Sequence, residues 1–158
     1  PSRNENADPI DSPNRRRLPV LLRRAWYGLN QAFRRRIAHL DLTPDQFTVM
    51  RTLLEGDAKG LTQRELARLM SSDPNTVASL LERMERAGYV ERKPHERDRR
   101  AHRIKLLPKG RKTYETARGI AVKLQGEVLS VLPEELRESF LENLVQVADA
   151  CRDAAEQR

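Results

Sequence analysis

The chain has 158 residues, of which 38% are hydrophobic, 34% charged and 4% aromatic. That balance suits one helical domain or a small, tightly associated pair, and it starves a β-sandwich of the β-branched and aromatic residues it needs. A formal net charge of +7 favours an anionic partner, either nucleic acid or an acidic membrane surface. No apolar run approaches the roughly 20 residues that span a bilayer. The first residues are polar and include Asp8 and Asp11, which speaks against a secretory leader. Cys151 is the single cysteine, so neither an intrachain disulfide nor a cysteine metal cluster is expected. A cytoplasmic protein is expected.

Residues 1–14 are polar and without apolar periodicity, and read as a mobile arm. From Leu18 the pattern changes. Leu18, Leu22, Trp26, Leu29, Phe33, Ile37 and Leu40 recur every three or four residues, predicting one long amphipathic helix. Its other face carries Arg15, Arg16, Arg23, Arg24 and Arg34 to Arg36. A second helix opens with Thr43 as N-cap and Pro44 at its first position, buries Phe47, Met50, Leu53 and Leu54, and stops at Gly56. Thr62 to Glu65 has the form of a capping box and starts a short third helix with Leu66 and Leu69 inward. Ser71 and Ser72 make a turn. Asp73 then caps a fourth helix that begins at Pro74, buries Val77, Leu80, Leu81 and Met84, and ends at Gly88.

The next stretch alternates weakly over Tyr89–Lys93 and His102–Leu106, with a polar tip from Pro94 to Arg100. It predicts a β-hairpin with a long charged loop. Pro108 and Gly110 lead into a fifth helix in which Tyr114, Ala117, Ala121, Leu124, Val128 and Val131 approach a heptad seam. A last helix starts at Pro133 and aligns Leu136, Phe140, Leu144, Val147 and Cys151. There is no internal repeat. The fold class expected is mainly α with a small β-wing. The domains expected are a helical dimerisation region at 15–42 and 108–158, and a winged helix-turn-helix at 43–107.

A short helix, a turn, a longer helix and a charged hairpin in that order form a unit for reading double-stranded DNA. The fourth helix offers Pro74, Asn75, Thr76, Ser79 and Arg83, all short or polar enough to meet base edges or phosphates. Asn pairs bidentately with adenine and Arg with guanine, while Ser and Thr serve either base edge or phosphate. The N-terminus of that helix adds its positive dipole end. Thr62 and Gln63, at the start of the third helix, complete this candidate surface. Within residues 91–105, seven basic residues stand against three acidic ones. Arg97, Arg99 and Arg100, flanked by Asp98 and His102, are suited to a narrow minor groove where negative potential is focused.

The strings LTQRELARLM, NTVASLLERMERAGYVERK and ERDRRAHRIKLLPKG resemble the MarR family (multiple antibiotic resistance regulators). The resemblance runs from about Leu18 to Ala155, includes LTPDQFTVMRTL, and is most specific at Asp98-Arg99-Arg100 followed by Leu106 and Gly110. It implies an obligate, triangular homodimer with the first, fifth and sixth helices intertwined. It also implies Arg100 in the minor groove, Asp98 holding the wing by pairing with an arginine, and base contacts from Asn75, Thr76, Ser79 and Arg83. Leu106-Leu107 departs from the more usual Leu-Thr and weakens a cap on the fifth helix.

A dimer is also expected from the residues themselves, because the first and last two helices carry apolar stripes that one copy cannot cover. Two-fold symmetry would set the recognition helices roughly 34 Å apart, on a pseudo-palindromic operator. Repression, relieved by a small and often aromatic anion between the dimer region and the reading unit, is what the resemblance implies. Trp26, Tyr27, Asn30, His39, Phe47 and Met50 are the candidate lining. Trp26, Phe47 and Met50 equally fit plain packing, and His39 a helix C-terminal dipole partner. Cys151, on an apolar stripe and far from the first helix, reads as a small hydrophobe rather than a redox sensor.

Other function classes fit less well. His39, His95 and His102 are scattered, and no H-E-x-x-H, Walker loop or G-x-S-x-G is present. An enzyme, a cofactor and a metal site are therefore not expected. A protein-docking winged helix would need an apolar recognition helix. RNA binding would need stacking aromatics in the wing. A membrane-surface helix at 15–36 is set aside because Trp26 and Phe33 fall where a partner helix would pack.

Overall fold

The computed structural model describes residues 17–157, so the arm expected at 1–14 lies outside the described residues, as do Arg15 and Arg16. The first helix, α1, spans Leu18–Ile37. The sequence pattern continues it to Leu40, but its end tightens into a 3₁₀ turn at Ala38–Leu40. Asp41 then takes a left-handed conformation with φ 51° and donates its N–H to the Ala38 carbonyl. This reversal sends Leu42 into the core, 4% exposed.

Helix α2 is Pro44–Glu55. Thr43 caps it through a full capping box, because Gln46 N–H donates to the Thr43 hydroxyl (3.2 Å) and Thr43 N–H to the Gln46 side-chain oxygen Oε1 (3.0 Å). Phe47 lies between two rings, edge-on to Phe33 at 5.0 Å and stacked with Tyr114 at 5.2 Å. Such aromatic pairs add to plain burial.

A two-residue strand, β1, at Leu61–Thr62 comes next and leads directly into α3, Gln63–Leu69. The expected capping box is formed, with Glu65 N–H donating to the Thr62 hydroxyl and Thr62 N–H to the Glu65 carboxylate. Ser71, at φ 51°, turns the chain into α4, Pro74–Arg86. Val77, Leu81 and Met84 are fully buried, and Leu80 nearly so. Gly88, at φ 76°, ends this helix, and Tyr89 N–H reaches back to the Met84 carbonyl.

Strands β2 (Val90–Pro94) and β3 (His102–Leu106) form the hairpin. The sheet is antiparallel in the order β1-β3-β2, pairing Val90 with Leu106, Pro94 with His102, and Leu61 with Ile104. Val90 and Ile104 point into the core at 1% exposure. Gly60, at φ 97°, lets the chain enter β1, since a Cβ there would stand 2.5 Å from the Ile104 carbonyl oxygen.

Helix α5 is Pro108–Leu129 and α6 is Glu134–Glu156. The chain divides into two compact units, one ending at Ile120 and one starting at Ala121. The division falls inside α5 because its first turns belong to the winged core, with Tyr114 stacked on Phe47 and Gly110 set against Tyr89. In the first unit, α1 buries Phe33 and Ile37 and leaves Leu18, Leu22, Trp26 and Leu29 exposed. In the second, α6 leaves Leu136, Phe140 and Leu144 exposed. Among the described residues no helix is long and apolar enough to cross a membrane.

Candidate nucleic-acid interface

Helix α4 is sharply two-faced. Asn75, Thr76, Ser79 and Arg83 are exposed along the side opposite its buried residues, and Pro74 sits exposed at the first turn. Asp73 fixes the start of the helix. Its carboxylate accepts the Thr76 N–H at 2.9 Å and the Thr76 hydroxyl as well. The Thr76 hydroxyl first, and then its N–H, hold the Asp73 carboxyl below the usual carboxylate range. Two consequences follow for DNA. Thr76 keeps its oxygen as an acceptor, but its hydroxyl proton is already committed. The Asp73 charge also offsets the positive helix end that would otherwise draw a phosphate.

Gln63 and Thr62 take different parts. The Gln63 side-chain amide donates to the Pro74 carbonyl at 3.3 Å, linking the starts of α3 and α4. Thr62 is committed to the fold, through its cap on α3 and its pairing with Arg103 in the sheet.

The wing tip is organised by backbone and side-chain acceptors together. His95 N–H donates to the Ala101 carbonyl and Ala101 N–H to the Asp98 carbonyl, both at 3.1 Å. His95 Nδ1 accepts the N–H groups of Arg97 and Asp98, also at 3.1 Å each. The Asp98 carboxylate accepts the Arg100 N–H at 2.9 Å. The arginine pair that the resemblance assigned to Asp98 is made by its neighbour. Glu96 takes Arg103 bidentately at 2.9 and 2.7 Å, and Arg103 also donates to the Gly60 carbonyl at 3.0 Å. Asp98 sits at the turn, where the nearest donors are backbone amides, whereas Glu96 faces Arg103 across the hairpin. The Arg103 hydrogen bonds hold the Glu96 carboxyl down at about 2 and push the Arg103 guanidinium up.

At the base, Arg92 approaches Glu85 of α4 at 3.1 Å. The Lys109 ammonium donates to the Ala87 carbonyl at 2.6 Å while lying 5.2 Å from the Tyr89 ring centre, so it closes the C-terminus of α4. Lys93 pairs with Glu91. Among the described residues Arg97, Arg99 and Arg100 pair with no carboxylate, and all three are exposed, as is His102 at the start of β3. The wing therefore spends its inner charges on its own shape and presents its outer arginines. His95, Glu96 and Arg103 were not singled out from the sequence as site residues, because their partners lie across a hairpin rather than at a helical spacing.

A MarR family model matches residues 40–101. Transcriptional regulator HosA of Escherichia coli O127:H6 is 32% identical over 128 residues, covering 78% of this chain and 93% of its own. The chain belongs to the MarR family. The HTH-type transcriptional regulator BilQ of Clostridium symbiosum is 38% identical over 80 residues, which span 51% of this chain and 56% of BilQ. Among solved structures, the S. aureus MepR–DNA complex superposes with a TM-score of 0.78 at 25% identity, covering 86% of this chain and 99% of that one.

The six effector candidates of this MarR-family chain do not share one lining. Trp26 and Tyr27 are 63% and 66% exposed on α1, Asn30 is half-buried, and His39 is exposed in the 3₁₀ turn. Phe47 and Met50 are core residues of α2. On α1, Tyr27 points about 100° away from Trp26, whereas Asn30 lies one turn on from Trp26 along the same face. A cleft of about 380 Å³ opens elsewhere, between α2 and the end of α3, lined by Thr48, Arg51, Thr52, Glu55, Gly56, Leu69 and Met70.

Proposed function

We propose that this regulator binds a pseudo-palindromic operator in double-stranded DNA as a homodimer, in the cytoplasm and without enzymatic chemistry. In this reading α4 lies in the major groove, with Asn75, Thr76, Ser79 and Arg83 toward base edges. The wing over 91–105 reaches the minor groove through Arg97, Arg99 and Arg100, with Asp98 and His102 beside them. Thr62, Gln63 and Pro74 position the start of the reading helix. The protein acts as a repressor, and a small, aromatic acidic effector lowers its DNA affinity.

The observation that carries this reading is the polar exposed face of α4 followed by a hairpin whose tip arginines meet no carboxylate among the described residues. The likeness to MepR, whose structure was solved with DNA, supports the same partner here. Exposed apolar side chains on α1 and, separately, on α6 support a second copy as their cover. For the effector, exposed Trp26 and Tyr27 offer aromatic faces, and Trp26 is the single tryptophan of the chain.

The deciding experiment is fluorescence anisotropy with the DNA upstream of the protein's own gene, over a salt series, with Arg100→Ala beside the wild type. Sequence-selective binding that weakens steeply with salt is expected. Arg100→Ala should bind about tenfold to a hundredfold more weakly. Equal binding to random DNA, with Arg100→Ala unchanged, would overturn the reading. Candidate aromatic acids are then titrated with Trp26 fluorescence as a second signal. An effector that releases DNA should perturb it, and that perturbation should vanish in Trp26→Phe.

A further inference from the structure

We propose that His95 is the positioning residue of the wing tip, and that protonation of its Nδ1 loosens the tip and lowers affinity for DNA. This rests on the reading of the wing as a DNA-contacting surface.

The His95 imidazole receives two backbone N–H groups, those of Arg97 and Asp98, at 3.1 Å each. Acceptance from the second and third following residues is the arrangement Asn, Asp, Ser and Thr use to fold a turn. Only the neutral ring with its proton on Nε2 offers Nδ1 as an acceptor. A protonated Nδ1 would bring a third N–H against two others. Of the other side-chain acceptors of the tip, Asp98 holds the Arg100 N–H and Glu96 the Arg103 guanidinium. Of these three acceptors, only an imidazole changes charge near neutrality. Losing its acceptor therefore frees Arg97 and Asp98, and with them the geometry of Arg99 and Arg100.

The charged groups around the ring are mostly cationic. Arg97, Arg99 and Arg100 follow in the loop, Lys93 precedes it on β2, and on β3 Arg103 stands opposite Lys93 and His102 opposite Pro94. Glu96 is the adjacent carboxylate, and both its oxygens are held by Arg103. The sign of the effect separates this role from simple electrostatics, because an extra positive charge on an unchanged wing would strengthen DNA binding at low pH.

The test uses the full chain as wild type, His95→Asn and His95→Ala. Operator affinity is measured at about pH 7.5 and about pH 5.8, either side of the ordinary imidazole range, at fixed ionic strength. Amide resonances of Arg97 and Asp98 are followed over the same range without DNA. Near pH 7.5, wild type and His95→Asn should bind alike, with His95→Ala about fivefold to tenfold weaker for the loss of two hydrogen bonds. Near pH 5.8 the wild type should fall to the level of His95→Ala, while His95→Asn, which keeps an acceptor that does not titrate, stays above both. His102 is common to all three proteins and cancels in the comparison. Parallel pH profiles for wild type and His95→Asn would overturn the proposal, as would Arg97 and Asp98 amides indifferent to pH. If Arg100→Ala leaves affinity unchanged, the wing reading itself fails. The amides then still decide whether His95 holds the tip.

Discussion

Arg103 shows how one side chain can decide what its neighbours are free to do. It joins the tip, through Glu96, to the loop before β1, through the Gly60 carbonyl. The Glu96 carboxyl is held at about 2, below the ordinary carboxylate value of 4.5. A depressed carboxyl stabilises the folded wing fully above its unfolded value and loses that contribution as pH falls through its folded one. Hydrogen exchange at the wing amides should therefore rise as pH drops from about 4.5 toward about 2, after correction for intrinsic rates. Glu96→Gln should abolish this pH dependence while leaving the helices unaffected. The same reasoning applies to Asp73, whose lowered carboxyl secures the first turn of α4 in the same direction of pH. Arg100→Ala is the complementary change, because its guanidinium meets no carboxylate among the described residues, and it should cost DNA affinity without costing stability.

At the scale of elements, α4 and the hairpin are fixed from behind. Leu81, fully buried on the inner face of α4, is part of the shared core with Leu66 and Ile104. Leu81→Ala should cost about 2–5 kcal/mol in denaturant unfolding. Gly110 is a second anchor of a different kind. A Cβ there would stand 2.4 Å from the Tyr89 carbonyl oxygen and 2.7 Å from a Leu106 methyl. The same carbonyl accepts the Leu107 N–H at 2.8 Å, so it cannot retreat freely. Gly110→Ala should push the start of α5 away from the base of the hairpin and destabilise by about 1–3 kcal/mol, read by thermal or chemical unfolding. Because that shift moves the wing, DNA affinity should fall as well.

For the whole molecule the question is what covers the apolar side chains left outside. Phe140 is 44% exposed on α6, in line with Leu136 and Leu144. If a second copy covers them, Phe140→Asp should leave a folded monomer by sedimentation, with much weaker operator binding and a shallower salt dependence. A wild-type monomer with full operator affinity would remove the need for a dimer. Among the described residues, the outer arginines of the wing meet no carboxylate, while the pairs at its base hold shape.

Local signals determined the elements. Thr43-Pro44, Thr62 to Glu65, and Asp73-Pro74 mark helix starts in the sequence because caps act within one turn. Helix and strand periodicities likewise separate buried from exposed positions on α4, where Val77, Leu80, Leu81 and Met84 are inward as their spacing implies. Strand β1 could not be read that way, since two residues carry no alternation and its pairing partner lies some forty residues on. The same limit applies to the wing. Its charge was plain in the sequence, but which carboxylate meets which arginine was not. Glu96 rather than Asp98 takes Arg103, and His95 folds the tip, because a hairpin brings together groups separated by a loop whose path local preference does not set. The fate of Phe47 and Met50 was also a tertiary matter. Helical spacing fits a core residue and a pocket wall equally well, and only the rings of Phe33 and Tyr114 closing on Phe47 place it in the core.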